Sequence, residues 1–209
     1  MTAIKICGIT READALAAAH SGANAIGLVF YGRSPRHVTP ARAAQLLRVL
    51  PPFVTSVGLF VDAAADDVRQ TLAAARVDLL QFHGDESPGY CGQFGVPYLK
   101  AVRVRPGLDL LQYALDFRDA KALLLDAYVK GTHGGTGATF DWALIPKNLP
   151  LPVVLSGGLT PENVTAAIQA VRPWAVDVSS GVESKGLAKG IKDAAKIAAF
   201  VTGVRNANV

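Results

Sequence analysis

Two side chains that could exchange protons with a substrate stand at the ends of short apolar runs. Cys7 lies near the end of residues 4–8, and Asp126 ends residues 122–126. A thiol serves as a base if positive surroundings lower its pKa from about 8.5, and a carboxyl serves as an acid if burial raises its pKa. Structural interpretations stay open for both, because a buried cysteine often only packs as a small apolar side chain and an aspartate often caps the next element.

Two further polar residues, His83 and Arg103, also end apolar runs. His83 either contacts a substrate or is a rim histidine whose hydrogen bonds are satisfied within the protein. Asp85 and Glu86, just beyond it, are expected to start the following helix. The four histidines lack the close spacing of metal ligands, so no metal site is predicted.

Two glycine-containing segments are candidates for binding an anion. Residues 156–158 (Ser-Gly-Gly) and 179–181 (Ser-Ser-Gly) each follow a predicted strand. Glycine permits close approach and positive φ, so successive backbone N–H groups can point at one anion such as a phosphate. Residues 182–185 would supply an extra helical turn beside this site. The alternative is that the glycines only close tight connections.

Two loops complete the candidate site. The basic loop 31–37 contains Arg36, whose guanidinium could grip a carboxylate with two parallel hydrogen bonds; an ordinary solvated loop is the alternative. The glycine-rich loop 127–139 is interpreted as a lid that closes over substrate, with a second anion-binding turn or plain flexibility as alternatives.

The elements that must position these residues alternate between short strands and helices. Helix starts are indicated by Thr10, Thr39 with Pro40, and Thr160 with Pro161, and residues beyond Gly203 are expected to fray. The predicted helices cover residues 10–20, 39–50, 64–75, 87–94, 108–115, a short stretch after 140, 160–171 and 190–202. The predicted strands cover residues 4–8, 25–30, 56–61, 79–83, 98–103, 122–126, 152–156 and 175–179.

This order predicts a single (β/α)8 TIM barrel over residues 1–209. Eight strand–helix units in 209 residues average about 26 residues each, which suits a compact barrel with buried parallel strands. A doubly wound open sheet is the competing fold, but its GxGxxG signature and the Walker loop are both absent. In a barrel the active site lies at the C-terminal ends of the strands, where the polar residues above would meet.

Composition limits the class of protein further. Half the residues are hydrophobic and 18% are charged, which excludes intrinsic disorder. The net charge of +4 is spread along the chain, so nucleic acid is not an expected partner. No apolar stretch approaches the roughly 20 residues of a membrane helix, and no secretory signal is seen. Two lone cysteines make no disulfide framework, so we expect a reduced, cytoplasmic protein.

A series of short motifs runs in order along nearly the whole chain, from residue 4 to about 197. The motifs are KICGIT (5–10), SPR (34–36), VGLF (57–60), LQFHG (80–84), GGTG with FDW (134–137 and 140–142), SGGL (156–159) and VDVSSGVE (176–183). This series resembles the phosphoribosylanthranilate isomerase family. Two positions depart from the family pattern: Phe82 replaces a usual aliphatic residue and Ser156 a frequent alanine.

The resemblance implies an Amadori rearrangement of tryptophan biosynthesis, in which N-(5'-phosphoribosyl)anthranilate becomes 1-(2-carboxyphenylamino)-1-deoxyribulose 5-phosphate. It implies that Cys7 is the general base, that Asp126 is the general acid and that Arg36 binds the anthranilate carboxylate. No cofactor is expected, because the nitrogen of the substrate supplies the electrons. The expected partner is this small phosphosugar, bound by a monomer or homodimer. Taken together with the strand-end and glycine-loop candidates above, the expected substrate-binding residues are Arg36, His83, Ser156, Gly157, Gly158, Asp177, Ser179, Ser180 and Gly181.

Two structural expectations follow from the barrel. Strands one and six are three steps apart around an eight-membered ring, so Cys7 and Asp126 should face one another across the mouth. Lys5 shares the interior face with Cys7, because strand residues alternate faces, and we expect it to lie beneath the base and pair with an acid such as Asp177.

Two other functions compete with this interpretation. The related aminoimidazole ribonucleotide isomerase of histidine synthesis also performs an Amadori rearrangement, but its family is expected to use a carboxylate at the position of Cys7. A non-catalytic barrel that binds phosphorylated ligands would keep the glycine loops but has no need for both Cys7 and Asp126.

Overall fold

A computed structural model describes residues 1–127 and 140–207 of the chain. Eight strands lie in the described ranges, and each is short and almost entirely buried. They are β1 (Ala3–Cys7), β2 (Ala25–Val29), β3 (Thr55–Phe60), β4 (Leu79–Phe82), β5 (Tyr98–Val104), β6 (Ala122–Ala127), β7 (Val153–Leu155) and β8 (Ala175–Val178).

Seven α-helices connect or follow these strands in the described ranges, and two 3₁₀ turns cover Trp142–Leu144, before β7, and Ser180–Val182, after β8. The longest helix is the last. The helices are α1 (Glu12–Ser21), α2 (Pro40–Arg48), α3 (Ala65–Ala74), α4 (Pro88–Gly92), α5 (Leu110–Asp116), α6 (Val164–Val171) and α7 (Ala194–Asn206).

The eight strands form one closed barrel in chain order. Every neighbouring pair is parallel, and β8 pairs with β1 so that Lys5 stands opposite Asp177. This closure confirms the predicted (β/α)8 barrel and excludes the open sheet. It also places β1 and β6 three steps apart, with β8 and β7 between them.

The core has two layers, because successive strand residues face the barrel interior and the helices in turn. The interior layer is built from small and branched side chains such as Ala101, Leu124 and Val154. The outer layer fills the space between strands and helices with residues such as Ile6 and Phe200. On β6, the interior face therefore continues from Leu124 directly to Asp126 at the mouth.

Helix starts follow local capping where the sequence offers a clear signal. The Thr39 hydroxyl accepts a hydrogen bond from the backbone N–H of Arg42, as expected for the cap of α2. The prediction for α1 was wrong, because Arg11 rather than Thr10 precedes the helix, and the Thr10 hydroxyl donates instead to the carbonyl of Gly190.

Three further boundaries differ from the sequence-based expectation. Helix α6 begins at Val164 rather than at residue 160, since residues 160–163 form a turn. Helix α7 begins at Ala194 rather than 190, because Asp193 caps it by accepting from two backbone N–H groups. The helix also continues past Gly203 instead of fraying there. Gly203 packs so close to α6 that a Cβ would lie 2.8 Å from Val164 Cγ1.

The predicted lid falls almost wholly on residues 128–139, which lie outside the described part of the chain, and its role stays a prediction. In the described part, none of the helices combines the length and apolarity needed to cross a membrane.

Candidate active site

Cys7 occupies the C-terminal end of β1 and points into the barrel mouth. Only 5% of the residue is exposed, and it packs in an apolar cluster with Val29, Leu59 and Val61. On the neighbouring strand, Gly27 makes room for the thiol: a Cβ there would lie 2.7 Å from Cys7 Sγ. The thiol therefore sits in a mostly dry pocket whose size depends on a glycine.

Lys5 lies one interior position below Cys7 and forms a buried ion pair. Its Nζ donates to Asp177 Oδ1 on β8 over 2.8 Å, so the expected pairing of Lys5 with Asp177 is confirmed. The second carboxylate oxygen of Asp177 accepts a hydrogen bond of 3.3 Å from the Ser156 hydroxyl on β7. Both oxygens of Asp177 are thus held by side chains of the protein.

Burial raises the pKa of the Cys7 thiol above its ordinary value. Lys5 and Lys192 oppose this effect by stabilising the thiolate, while the charge of Asp177 adds to it. The pKa of Lys5 itself is raised, since burial lowers it less than the nearby Asp177 and Cys7 raise it. The positive surroundings expected from the sequence are present, but desolvation outweighs them and favours the neutral thiol.

Asp126 lies at the end of β6, where its carboxylate contacts His83 from β4. His83 Nε2 is 3.2 Å from Asp126 Oδ2, and both side chains are 6% exposed. The other ring nitrogen, Nδ1, is 3.0 Å from the side-chain amide of Gln81. His83, predicted to bind substrate, therefore has protein partners on both sides of its ring.

Sequence reasoning missed Gln81, which is fully buried. Its Oε1 has no hydrogen-bond partner among the described residues. The available signal was the two-residue spacing from His83, which puts both side chains on the interior face. Arg103, the other strand-end candidate, donates to Asp85 over 3.2 Å and makes no described hydrogen bond to Asp126.

A continuous set of contacts links the two candidate catalytic strands around the barrel wall. It runs from Lys5 below Cys7 to Asp177 on β8, and from there to Ser156 on β7. The next residue, Gly157, packs against the end of β6, where a Cβ would lie 2.9 Å from Asp126 Oδ1. The thiol and the carboxyl are therefore both buried at the same end of the barrel, and that they face one another across the mouth stays a prediction.

Arg36 extends from the loop after β2 across the end of β1. Its aliphatic part passes over Gly8, where a Cβ would lie 2.5 Å from Arg36 Cδ. Its guanidinium pairs with Glu183, which follows β8, through Nε–Oε1 and Nη2–Oε2 distances of 2.6 and 3.1 Å. The loop is therefore not an ordinary solvated one, and Arg36 is only 8% exposed. Glu183 was not among the predicted site residues, although it ends the motif of residues 176–183.

The two glycine segments come together beside this cluster. Gly157 and Gly158 both have left-handed backbones, with φ of 85° and 63°. Gly181, in the 3₁₀ turn after β8, lies so close to the carbonyl oxygen of Leu159 that no side chain would fit there. The hydroxyl of Ser179 donates to the Cys7 carbonyl over 3.0 Å, so this loop also contacts the end of β1.

One large groove of the described chain lies away from these residues. A groove of about 1300 Å³ lies at the opposite end of the barrel, between the start of β7 and the loop before β8, and includes none of the predicted site residues. Within residues 1–127 and 140–207, no three His, Cys, Asp or Glu side chains are grouped to hold a metal ion.

The closed barrel and the buried polar residues at one mouth define a (β/α)8-barrel enzyme. A family model described as N-(5'phosphoribosyl)anthranilate (PRA) isomerase matches residues 4–203. The chain therefore belongs to the phosphoribosylanthranilate isomerase family, as the motif series implied, and is an isomerase of tryptophan biosynthesis.

Individual relatives agree with this family. An N-(5'-phosphoribosyl)anthranilate isomerase of Nitrosospira multiformis is 62% identical over 201 residues, which are 96% of this chain and 95% of the relative. The solved phosphoribosyl anthranilate isomerase of Thermotoga maritima has a TM-score of 0.89 and 39% identity, covering 99% of this chain and 100% of that one. A solved isomerase in complex with reduced 1-(o-carboxyphenylamino)-1-deoxyribulose 5-phosphate has a TM-score of 0.86 and 38% identity, with the same coverage.

Proposed function

We propose that this isomerase converts N-(5'-phosphoribosyl)anthranilate into 1-(2-carboxyphenylamino)-1-deoxyribulose 5-phosphate with Asp126 as general acid and Cys7 as general base. The observation that carries the proposal is the set of contacts joining β1, β8, β7 and β6, which holds both groups at one mouth. A sugar between them can be protonated from one wall and deprotonated from the other.

The first step opens the furanose ring. Asp126 gives its proton to the ring oxygen while the nitrogen lone pair forms a C1–N double bond and the C1–O bond breaks. The product is an iminium ion, and Asp126 is left as a carboxylate. The contact with His83 Nε2 supports this step, because an N–H at that position stabilises the new carboxylate.

The second step removes the proton at C2. The iminium acidifies this proton, and the Cys7 thiolate takes it as the electron pair forms a C1–C2 double bond and neutralises nitrogen. The enolamine then gains a proton at C1 and loses one from its C2 hydroxyl, which yields the ketone. Substrate and product are isomers, so the reaction needs no external oxidant or reductant.

Binding groups surround this pair at the strand ends. We assign the substrate carboxylate to Arg36 and the phosphate to the loops of residues 156–158 and 179–181. Gly157 and Gly158 both have positive φ, so the chain turns there, and backbone N–H groups of a turn can point at one anion. His83 and Asp177 are included in the proposed site because His83 contacts Asp126 and Asp177 pairs with Lys5.

We further propose that residues 1–209 act as one barrel domain in the cytoplasm. Cys7 and Cys91 are both free and buried on separate elements, which is compatible with a reducing compartment.

The experiment is a fluorescence assay, in which anthranilate fluorescence of the substrate falls on conversion. Cys7→Ser and Asp126→Asn should each lower kcat by about 10²- to 10⁴-fold, the usual range for loss of one proton-transfer group. Circular dichroism should show a folded barrel for both variants.

Cys91→Ser is the matched control, because Cys91 is a second buried thiol that lies away from the mouth on α4. It should retain the kcat of the unmodified enzyme. Full activity of folded Cys7→Ser would contradict the assignment of the base. Turnover of the aminoimidazole ribonucleotide substrate without turnover of phosphoribosylanthranilate would overturn the proposed substrate.

A further inference from the structure

Glu183 is an acidic residue at the barrel mouth that is bound to two basic side chains and lies outside β1 and β6, the strands of the proposed base and acid. Its side chain is 11% exposed and takes part in ion pairs with Arg36 and Lys192. It follows the 3₁₀ turn after β8, whereas Arg36 belongs to the loop after β2. A side chain that joins these two loops can decide how the guanidinium is aimed.

The geometry of the pair leaves one edge of the guanidinium unused by Glu183. Glu183 accepts hydrogen bonds from Nε and Nη2, which form one side of the planar fork. A guanidinium carries five N–H groups, so Nη1 and the second hydrogen of Nη2 are left for another acceptor. These two nitrogens form the outer edge, which matches a second planar carboxylate.

Glu183 is itself fixed by contacts that do not involve Arg36. Its Oε1 also accepts from Lys192 Nζ over 3.2 Å and from the backbone N–H of Gly190 over 3.1 Å. Burial alone would raise the pKa of Glu183, but Arg36 and Lys192 lower it overall, so the carboxylate form is favoured. Lys192 is held in turn by the carbonyl and hydroxyl of Ser179.

The charges of this cluster leave room for one more anion. Arg36 and Lys192 are basic and Glu183 is acidic, and the two basic residues are only 8% and 3% exposed. Burial lowers the pKa of Lys192, and Glu183 opposes that effect. Arg36 and Lys192 thus share one carboxylate, and a buried cation is unfavourable unless it is paired. The carboxylate of an anthranilate group would supply a negative charge at Arg36, while the phosphate assigned to residues 179–181 would lie on the side of Lys192, which contacts Ser179.

We infer that Glu183 is a positioning residue that holds the Arg36 guanidinium on its inner side and so presents its outer edge to the substrate carboxylate. This inference rests on the proposed role of Arg36 and extends it to specificity. A substrate with an unsubstituted aniline ring would leave the held guanidinium without its anion and gain nothing from Glu183.

The test compares two substrates in Glu183→Gln. The glutamine amide cannot accept hydrogen bonds at both of its ends, so the two-bond grip on Arg36 is lost. KM for phosphoribosylanthranilate should rise about tenfold, as expected from losing a hydrogen bond between charged groups, with kcat changed less than about threefold. KM for the carboxylate-free analogue N-(5'-phosphoribosyl)aniline should change less than about twofold.

Arg36→Ala and the double variant test whether the two residues act together. Arg36→Ala should raise KM for phosphoribosylanthranilate, and adding Glu183→Gln should change it no further, because interacting residues are not additive. Glu12→Gln is the control. Glu12 lies on α1, and its carboxylate forms a surface ion pair of 2.9 Å with Arg42. Loss of this pair should leave KM unchanged.

The outcomes distinguish a failure of the inference on Glu183 from a failure of the proposed function. If Arg36→Ala raises KM but folded Glu183→Gln does not, or if both substrates suffer equally, the inference is wrong and the proposed function survives. If Arg36→Ala leaves KM unchanged, both the carboxylate assignment and the inference are wrong.

Should Glu183→Gln fail to fold by circular dichroism, Glu183→Asp gives the same test with the charge retained and the carboxylate withdrawn by one methylene. Calorimetric titration with reduced 1-(o-carboxyphenylamino)-1-deoxyribulose 5-phosphate should then show an affinity weakened about tenfold, with inorganic phosphate affinity unchanged. Equal affinity for the reduced product in Glu183→Asp and the unmodified enzyme would overturn the inference.

Discussion

At the scale of single residues, burial and nearby positive charge have opposite effects on the pKa of Cys7. Cys7 is nearly inaccessible, which raises the pKa of its thiol, and two lysines pull that pKa down without overcoming the effect. A thiol of raised pKa is a stronger base once ionised, but less of it is ionised at neutral pH. The balance between Lys5 and desolvation therefore controls how much of the proposed base, Cys7, is ionised.

Replacing Lys5 with methionine should shift the pH dependence of the reaction. The variant loses a cation that lowers the Cys7 pKa and exposes the thiol to the uncompensated charge of Asp177, which raises it. Because the proposed base acts when deprotonated, the acidic limb of the kcat/KM profile should move to higher pH. The check is a pH series of initial rates for both proteins.

Lys121→Met is the control for that series, since Lys121 is an exposed lysine just before β6, at the opposite end of the barrel from the mouth. Its profile should coincide with that of the unmodified enzyme. A Lys5→Met profile with an unmoved acidic limb and full activity would eliminate the proposed role of Lys5.

At the scale of elements, a buried ion pair fixes the loop after β4. Glu86 was expected to start the next helix, but α4 begins at Pro88 with Ser87 as its cap. Glu86 turns inward instead and pairs with Lys100 on β5 over 2.7 Å. The same carboxylate accepts from the backbone N–H of Gly84, next to His83, so this pair supports the loop that follows the histidine.

Lys100→Met should destabilise the fold by about 3–5 kcal/mol, because it leaves the Glu86 carboxylate buried without its cation. The two side chains are 0% and 2% exposed, so water cannot replace the missing charge. Urea denaturation followed by circular dichroism measures the free energy of unfolding.

The double variant Lys100→Met/Glu86→Gln is the informative comparison. The neutral amide oxygen of glutamine can still accept a hydrogen bond from the backbone N–H of Gly84. The double variant should recover part of the loss. If Lys100→Met alone were as stable as the unmodified protein, the ion pair between Lys100 and Glu86 would not be needed for stability.

At the scale of the whole molecule, stability and chemistry are separated. Helix α7 packs against α1 and α6, beside the place where β8 meets β1, and carries the fully buried Phe200. The proposed reacting groups instead lie at the strand ends, within the barrel. This separation is typical of the fold, in which the strand-end loops carry function and the remainder carries stability.

Phe200→Ala should lower the free energy of unfolding by about 3–5 kcal/mol through loss of buried surface and formation of a cavity. At temperatures where the variant stays folded, kcat and KM should match those of the unmodified enzyme. Thermal denaturation and the fluorescence assay measure the two properties separately.

Leu115→Ala provides the surface comparison, because Leu115 is 56% exposed on α5. Its effect on stability should stay within about 0.5 kcal/mol. A folded Phe200→Ala enzyme with a greatly reduced kcat would show that α7 contributes to the chemistry.

The amino-acid pattern was sufficient to predict the barrel and the strand ends at which the proposed site residues lie. Eight short apolar runs with helices between them allow few other arrangements, and alternation along each strand shows which side chains face inward. That was enough to bring Cys7 and Asp126 to one mouth and to pair Lys5 with Asp177. The motif series then identified the family.

The partner of each polar group became visible only in the folded barrel. His83 contacts Asp126 from 43 residues away, and Arg36 contacts Glu183 from 147 residues away. Alternation fixes the face of a side chain, whereas its partner depends on how the closed barrel brings distant loops together. The pKa of Cys7 was undecided for the same reason: the lysines are visible in the sequence, but the desolvation that outweighs them exists only once the mouth has been packed.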